Sequence, residues 1–301
     1  MAVPELVRAH KSRGRHIEVG ANRIFVRDEG TGPVVLLVHG VPSSSFLFRK
    51  MITRLASSGL RVVAFDFLGT GLSDKPRSGS YDWHSQAELI GGVLDALDIR
   101  EVHLVVHDIG GPIGVEWAVR NPDRVRSLTV TNTLLNVAEF RPPFPMWMFR
   151  VPLLRHIVFA TLSAAGFLFL MRKLGVRDGT KVTYADMKAW IWLLKTGGGR
   201  RSFLSIMDGF RLTEDHAAYL RNGLRAMSVP IQTVWGVHDV GIPISQRDYV
   251  LQNFAVEESH ELEAAHFLQE EVPEELSKRI TDFVDSVSSR ADAPFEHSRA
   301  S

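Results

Sequence analysis

Short apolar runs punctuate the chain, each followed by turn-forming residues and then by a segment with helical spacing. Residues 34–38, 61–65, 101–107, 127–131 and 231–235 are too short and too continuously apolar to be surface helices. Such runs are what strands buried on both faces require. Residues 17–27 alternate loosely and predict the opening strands, which end at the turn Gly30-Thr31-Gly32-Pro33. Helices are predicted from the N-capping serines Ser43, Ser44 and Ser45 through Leu55, over 83–97, after the glycines Gly110 and Gly111, and over 273–287. The last strand is expected near 260–263. Strands alternating with helices imply an α/β fold with a mostly parallel sheet covered on both faces.

Between residues 134 and 227 that rhythm stops. Pro142, Pro143 and Pro145 open a stretch of helical patterns without a convincing strand, at 147–172, 183–195, 201–209 and 213–226. The triplet Gly197, Gly198 and Gly199 interrupts it as a flexible joint. The expected layout is a core of residues 1–133 and 228–289, a helical cap of residues 134–227 over the active edge of the sheet, and a disordered tail at 290–301.

Composition narrows the classes. Lys plus Arg number 35 against 34 Asp plus Glu, a formal charge of +1, which points away from nucleic acid as a partner. There is no cysteine, so disulfides and thiolate metal sites are excluded. No metal or cofactor is expected. Residues 1–16 lack the apolar core of a signal peptide, and a cytoplasmic location is expected. Residues 157–171 are uncharged, flanked by Arg150, Arg155, Arg172 and Lys173. This run falls short of the roughly 20 residues that span a bilayer. It is expected to be a buried or substrate-facing helix, with interfacial membrane contact as the alternative.

The candidate chemistry lies at the ends of the strands. Strand 101–107 runs into Asp108-Ile109-Gly110-Gly111, with Pro112 suited to a first helical turn. Strand, sharp turn and helix make a nucleophile elbow, which lifts one side chain above the sheet edge. Here that side chain is Asp108. Asp239 follows strand 231–235, at the carboxyl end where α/β sites assemble. His266 sits on a loop before the last helix. The order nucleophile, acid, histidine is that of a hydrolytic triad.

Three stretches carry a family likeness: His39-Gly40-Val41-Pro42, residues 66–76 (Asp66-Phe67-Leu68-Gly69-Thr70-Gly71 and onward), and His107-Asp108-Ile109-Gly110-Gly111. The chain resembles α/β-hydrolases of the haloalkane dehalogenase and epoxide hydrolase branch, well over the core sheet and poorly over the insertion. The resemblance implies that Asp108 attacks a saturated carbon to form an alkyl ester, which water activated by His266 then hydrolyses. It also implies an oxyanion hole made by the backbone N–H groups of Val41 and Ile109. The expected partners are a small apolar substrate and water. Dehalogenases of this branch usually place Trp after the nucleophile to hold the halide, and this chain has Ile109. Epoxide hydrolases usually use two cap tyrosines. Tyr184 and Tyr219 are the candidates here, with His156 and His216 behind them, and Trp147, Trp190 and Trp192 are the alternative halide donors. Epoxide hydrolysis is the first expectation, haloalkane dehalogenation the second. Another hydrolase reaction, or a non-catalytic binding protein on the same fold, is the remaining alternative.

Overall fold

The computed structural model of the chain describes residues 2–292. A short helix, α1 (Glu5–Ser12), precedes an eight-stranded sheet made of β1 (Arg15–Val19), β2 (Asn22–Glu29), β3 (Val34–Val38), β4 (Arg61–Phe65), β5 (Val102–Asp108), β6 (Val125–Thr133), β7 (Ile231–Gly236) and β8 (Val256–Leu262). The spatial order is β1-β2-β4-β3-β5-β6-β7-β8. Pairing is parallel from β4 through β8, and at one edge β2 pairs antiparallel with both β4 and β1. The fold class expected from the strand and helix rhythm is the one observed.

Burial on both faces explains the unbroken apolar runs. Leu36 and Val38 of β3 point into one core and Val35 and Leu37 into the other, as the two-residue period of a strand dictates. The first core lies under α3 (Trp83–Ala96) and α4 (Gly110–Arg120), and holds Trp83, Trp117 and Trp235. The second lies under α2 (Arg49–Ser57) and the closing helix (Pro273–Asp292). The closing helix runs on to Asp292, beyond the expected 273–287 and through residues 290–292 of the predicted tail; residues 293–301 of that tail lie outside the described residues.

The insertion is helical, as expected, but more broken. Residues 147–172 do not form one helix. They divide into the end of α5 (Phe144–Trp147), a 3-10 turn, α6 (Pro152–Thr161), α7 (Ala164–Leu170) and a π turn over Met171–Gly175. Pro152 can only start a helix, and Ser163 starts the next by accepting from the Gly166 N–H. Nor is this run simply buried. Phe159, Phe167 and Met171 are, whereas Leu153, Ile157 and Phe169 face solvent. Then come α8 (Tyr184–Lys195), α9 (Gly199–Asp208) and α10 (Glu214–Ala226). Gly197 and Gly198, both at positive φ, make the tight turn between α8 and α9. The cap has no separate core. Phe203, Ile206 and Leu220 join the first core, and Phe167, Trp190 and Leu193 the second.

Candidate active site

Asp108 ends β5 with φ at 55°, a left-handed conformation that turns the chain sharply into α4. This is the elbow the sequence predicts. Such a turn needs neighbours without side chains. A Cβ on Gly40 would overlap the Asp108 carboxyl group, and one on Gly110 would meet the carbonyl oxygens of Val38 and His39. The Asp108 carboxylate is thereby lodged against the loop that follows β3. Its Oδ1 accepts the Val41 N–H at 2.8 Å, and the Ile109 N–H faces the same carboxylate.

His39 fixes that loop. Its Nε2 accepts from the Phe67 N–H at 3.1 Å, so Nδ1 carries the proton and donates to Gly40 O at 2.7 Å. Asp66 adds a second clamp, accepting from the backbone of Ser45 at 2.7 Å and of Leu72 at 2.6 Å. The likeness of residues 66–76 to the hydrolases is therefore mechanical here: the loop braces the donor at Val41.

The other two predicted residues converge on Asp108 from distant parts of the chain. His266 Nε2 lies 3.5 Å from Asp108 Oδ2, and His266 Nδ1 donates to Asp239 Oδ2 at 2.8 Å. All three side chains are buried. Burial alone would lower the His266 pKa, but the carboxylates of Asp239 and Asp108 overcome it and push it up to about 10. Desolvation would raise Asp108, yet the hydrogen bond and charge of His266 hold it below the ordinary carboxylate value. Asp239 is held down in the same way. The resting site thus pairs an imidazolium with two carboxylates.

Two residues hold roles that the motifs did not assign. Asn132, at φ 28° near the end of β6, donates to Asp239 Oδ2 at 2.8 Å and to Gly236 O at 3.1 Å, while its Oδ1 accepts the Gly236 N–H at 2.8 Å. It ties the acid to the strand beside it. A polar residue at the carboxyl end of a buried strand was the available signal. His107 donates from Nε2 to His266 O at 2.9 Å, and its ring lies 4.6 Å from that of His266. Burial, then the His266 charge, lower its pKa to about 4, so it stays neutral.

Above the triad is a cavity of about 640 Å³. Asp108, Asp239 and His266 form its polar floor. Its walls are apolar, with Phe140, Phe149, Phe167, Leu170, Leu194 and Phe203 among them. Among the described lining residues, His266 is the only side chain with an N–H or O–H to donate. The leaving-group candidates drawn from the sequence are therefore corrected. Tyr184 and Tyr219 are 53% and 39% exposed and do not line the cavity. Tyr219 and His216 instead face Glu116 and Arg120 in a separate polar hollow. His156 and Trp147 are exposed, and Trp192 is half-buried outside the lining. Trp190 comes nearest, packed edge-on against Phe267, but stands one layer behind the wall. The helices of the cap turn these side chains outward or sideways, which their spacing along the chain could not reveal.

With this geometry in view, similarity to known proteins places the chain. Residues 33–174 match the family described as alpha/beta hydrolase fold. The chain is 30% identical over 271 residues to a haloalkane dehalogenase of Mycobacterium marinum, covering 86% of this chain and 87% of that one. It is 27% identical over 281 residues to a cis-3-alkyl-4-alkyloxetan-2-one decarboxylase of Shewanella oneidensis, covering 87% and 85%. The solved haloalkane dehalogenase DbeA of Bradyrhizobium elkani superposes with a TM-score of 0.80 at 20% identity, over 92% of this chain and 99% of that one. The chain belongs to the α/β-hydrolase superfamily, in its haloalkane dehalogenase and epoxide hydrolase branch. It is an enzyme of the hydrolase type.

Proposed function

We propose that the protein cleaves a carbon–heteroatom bond at saturated carbon in a lipophilic substrate, through an alkyl ester on Asp108. The observation that carries this is a buried Asp-His-Asp triad at the floor of an apolar cavity. Asp108 Oδ2 attacks carbon, and the bond to the leaving group breaks with its electron pair going to that group. With Asp108 esterified and uncharged, the His266 imidazolium releases its proton to solvent, and the neutral ring then takes a proton from water, whose oxygen adds to the Asp108 ester carbonyl. The resulting oxyanion forms on Oδ1, which already accepts the Val41 N–H. Collapse breaks the acyl C–O bond, the departing alkoxide takes that proton from His266 and leaves as the alcohol, and His266 takes the proton of the added hydroxyl, which restores the carboxylate and the imidazolium.

The leaving group is constrained by the walls. In-line displacement sends it away from Asp108 into apolar surface without a side-chain acid. An epoxide oxygen leaves as a strongly basic alkoxide, so the first expectation from the sequence loses its support in the cap. A halide leaves as a stable anion, which brings the haloalkane reading forward.

A second reading is favoured by the same bare walls and by the volume of the cavity: a four-membered cyclic ester, as in the name of the Shewanella relative. Attack by Asp108 at the ring carbon bearing oxygen would release a tethered carboxylate. Loss of CO2 would then move the C–C electron pair into an alkene and break the Asp108 ester. Neither water nor a proton acid is consumed.

One experiment tests both. A panel of long-chain haloalkanes, epoxides and dialkyl β-lactones is turned over once in H2(18)O, and Asp108 is mapped by mass. Hydrolysis through the ester leaves 18O in the Asp108 carboxylate. The lactone route leaves none and yields CO2 and alkene. Turnover with 18O only in the product alcohol overturns the Asp108 ester, and fastest turnover of epoxides overturns the leaving-group argument.

A further inference from the structure

The cap turns apolar surface outward as well as inward. Leu153 and Ile157, four residues apart on one face of α6, are 76% and 55% exposed, and Phe169 on α7 is 63% exposed. The mouth of the cavity belongs to the same region, since Phe144, Leu174 and Val240 line it and are themselves exposed. Large apolar side chains exposed together on two consecutive helices mark an interaction site.

Its surroundings identify the partner. From Phe140 to Arg177 the sequence contains no Asp or Glu, but it contains Arg141, Arg150, Arg155, Arg172, Lys173 and Arg177. Arg155 and Arg177 are paired with Asp208 and Glu263. Arg150, Arg172 and Lys173 are exposed and have no carboxylate partner among the described residues. Apolar side chains flanked by unpaired cations fit an anionic lipid leaflet, where the former enter the acyl boundary and the latter meet headgroups. Among the described residues no single helix is long and apolar enough to cross a membrane. Pro152–Thr161 and Ala164–Gly175 reach that composition only together, bent by 107°. A bent pair of short helices can lie in an interface without spanning it. Trp147, 49% exposed on α5, is the residue type that sits at headgroup depth.

We infer that the α6–α7 face of the cap docks on anionic phospholipid surfaces and opens the cavity toward the acyl layer. Docking stands independently of the chemistry proposed for Asp108; delivery of a lipophilic substrate from the lipid rests on it.

The test is cosedimentation of the full chain with phosphatidylcholine vesicles, with and without phosphatidylglycerol, alongside Trp emission. The protein should bind the anionic vesicles, release them as salt rises, and show a blue shift that Trp147→Phe removes. Arg150→Gln and Lys173→Gln should each weaken binding about 5-fold. Leu153→Asp combined with Ile157→Asp should weaken it by about 10-fold or more. All five substituted side chains are exposed, so circular dichroism and thermal unfolding should match the parent. Three results would overturn the inference: no binding of the parent protein to anionic vesicles, equal binding by the Leu153/Ile157 variant, or self-association of the parent without vesicles that this variant abolishes.

Discussion

The sheet edge and the cap above it are built on opposite principles. At the sheet edge every polar atom of the triad has a named partner. Asp239 alone accepts from His266, Asn132, Gly241 and Ile242 at 2.8 to 2.9 Å. The cap offers the same cavity only aliphatic and aromatic surface, whose contacts are individually weak and interchangeable. A reaction needs fixed distances, whereas an apolar substrate needs only room and dry walls. The difference predicts steep losses from changes below the cavity and graded ones from changes above it.

The steepest is Asp108→Ala, which should lower turnover by about 10⁴-fold or more while leaving thermal unfolding near that of the parent. Next is His266→Phe. It should retain ester formation and lose hydrolysis, cutting steady-state turnover by roughly 10²–10⁴-fold. Intact-protein mass should show one alkyl group, mapped to Asp108. An adduct elsewhere would break the assignment of the sheet edge. Asn132→Ala comes third. Removing one hydrogen bond to a buried carboxylate should lower kcat by about 10-fold with little change in KM, because Asp239 then holds the imidazole less firmly. In the cap, Leu194→Trp should leave kcat for short substrates unchanged and shift preference toward them by about 10-fold in kcat/KM. A loss as large as that of His266→Phe would erase the contrast between the two regions.

The smallest effect concerns pH. The His266 pKa is raised from 6.5 to about 10, so the stability it contributes is fully present below pH 6.5 and fades as pH climbs toward 10. Denaturant titrations should show the gap in stability between the parent and His266→Phe narrowing across that window. A gap independent of pH would mean that His266 rests neutral.

The same contrast explains what the sequence could disclose. The strands were legible because burial on both faces leaves uninterrupted runs such as Val34 to Val38. The triad was legible because the elbow demands Gly110 and Gly111, and because Asp239 and His266 follow strands in a diagnostic order. Asn132 was passed over and His107, though it opens the elbow stretch, was given no role, since each acts through a neighbour. In the cap, helical spacing marked the helices but not their rotation. Tyr184, Tyr219 and the tryptophans could be named as donors from composition, while only tertiary packing decides that none reaches the cavity. The break at Pro152 and Ser163 turned one expected helix into a hinge-like series for an equally local reason.

In the proposed cycle the two carboxylates around His266 would also set the order of events. Esterification erases the charge on Asp108 and leaves Asp239 as the sole anion facing the ring. The imidazolium then becomes a stronger acid at the moment a base is needed. With a halide as leaving group, a proton must reach bulk water once per turnover, and this interlock times its release to alkylation. A stopped-flow trace in weak buffer with a pH indicator would then acidify in step with halide appearance and ahead of the alcohol. Wrong-order hydrolysis is suppressed by the same arithmetic, since before alkylation the ring holds its proton and no activated water exists to be wasted.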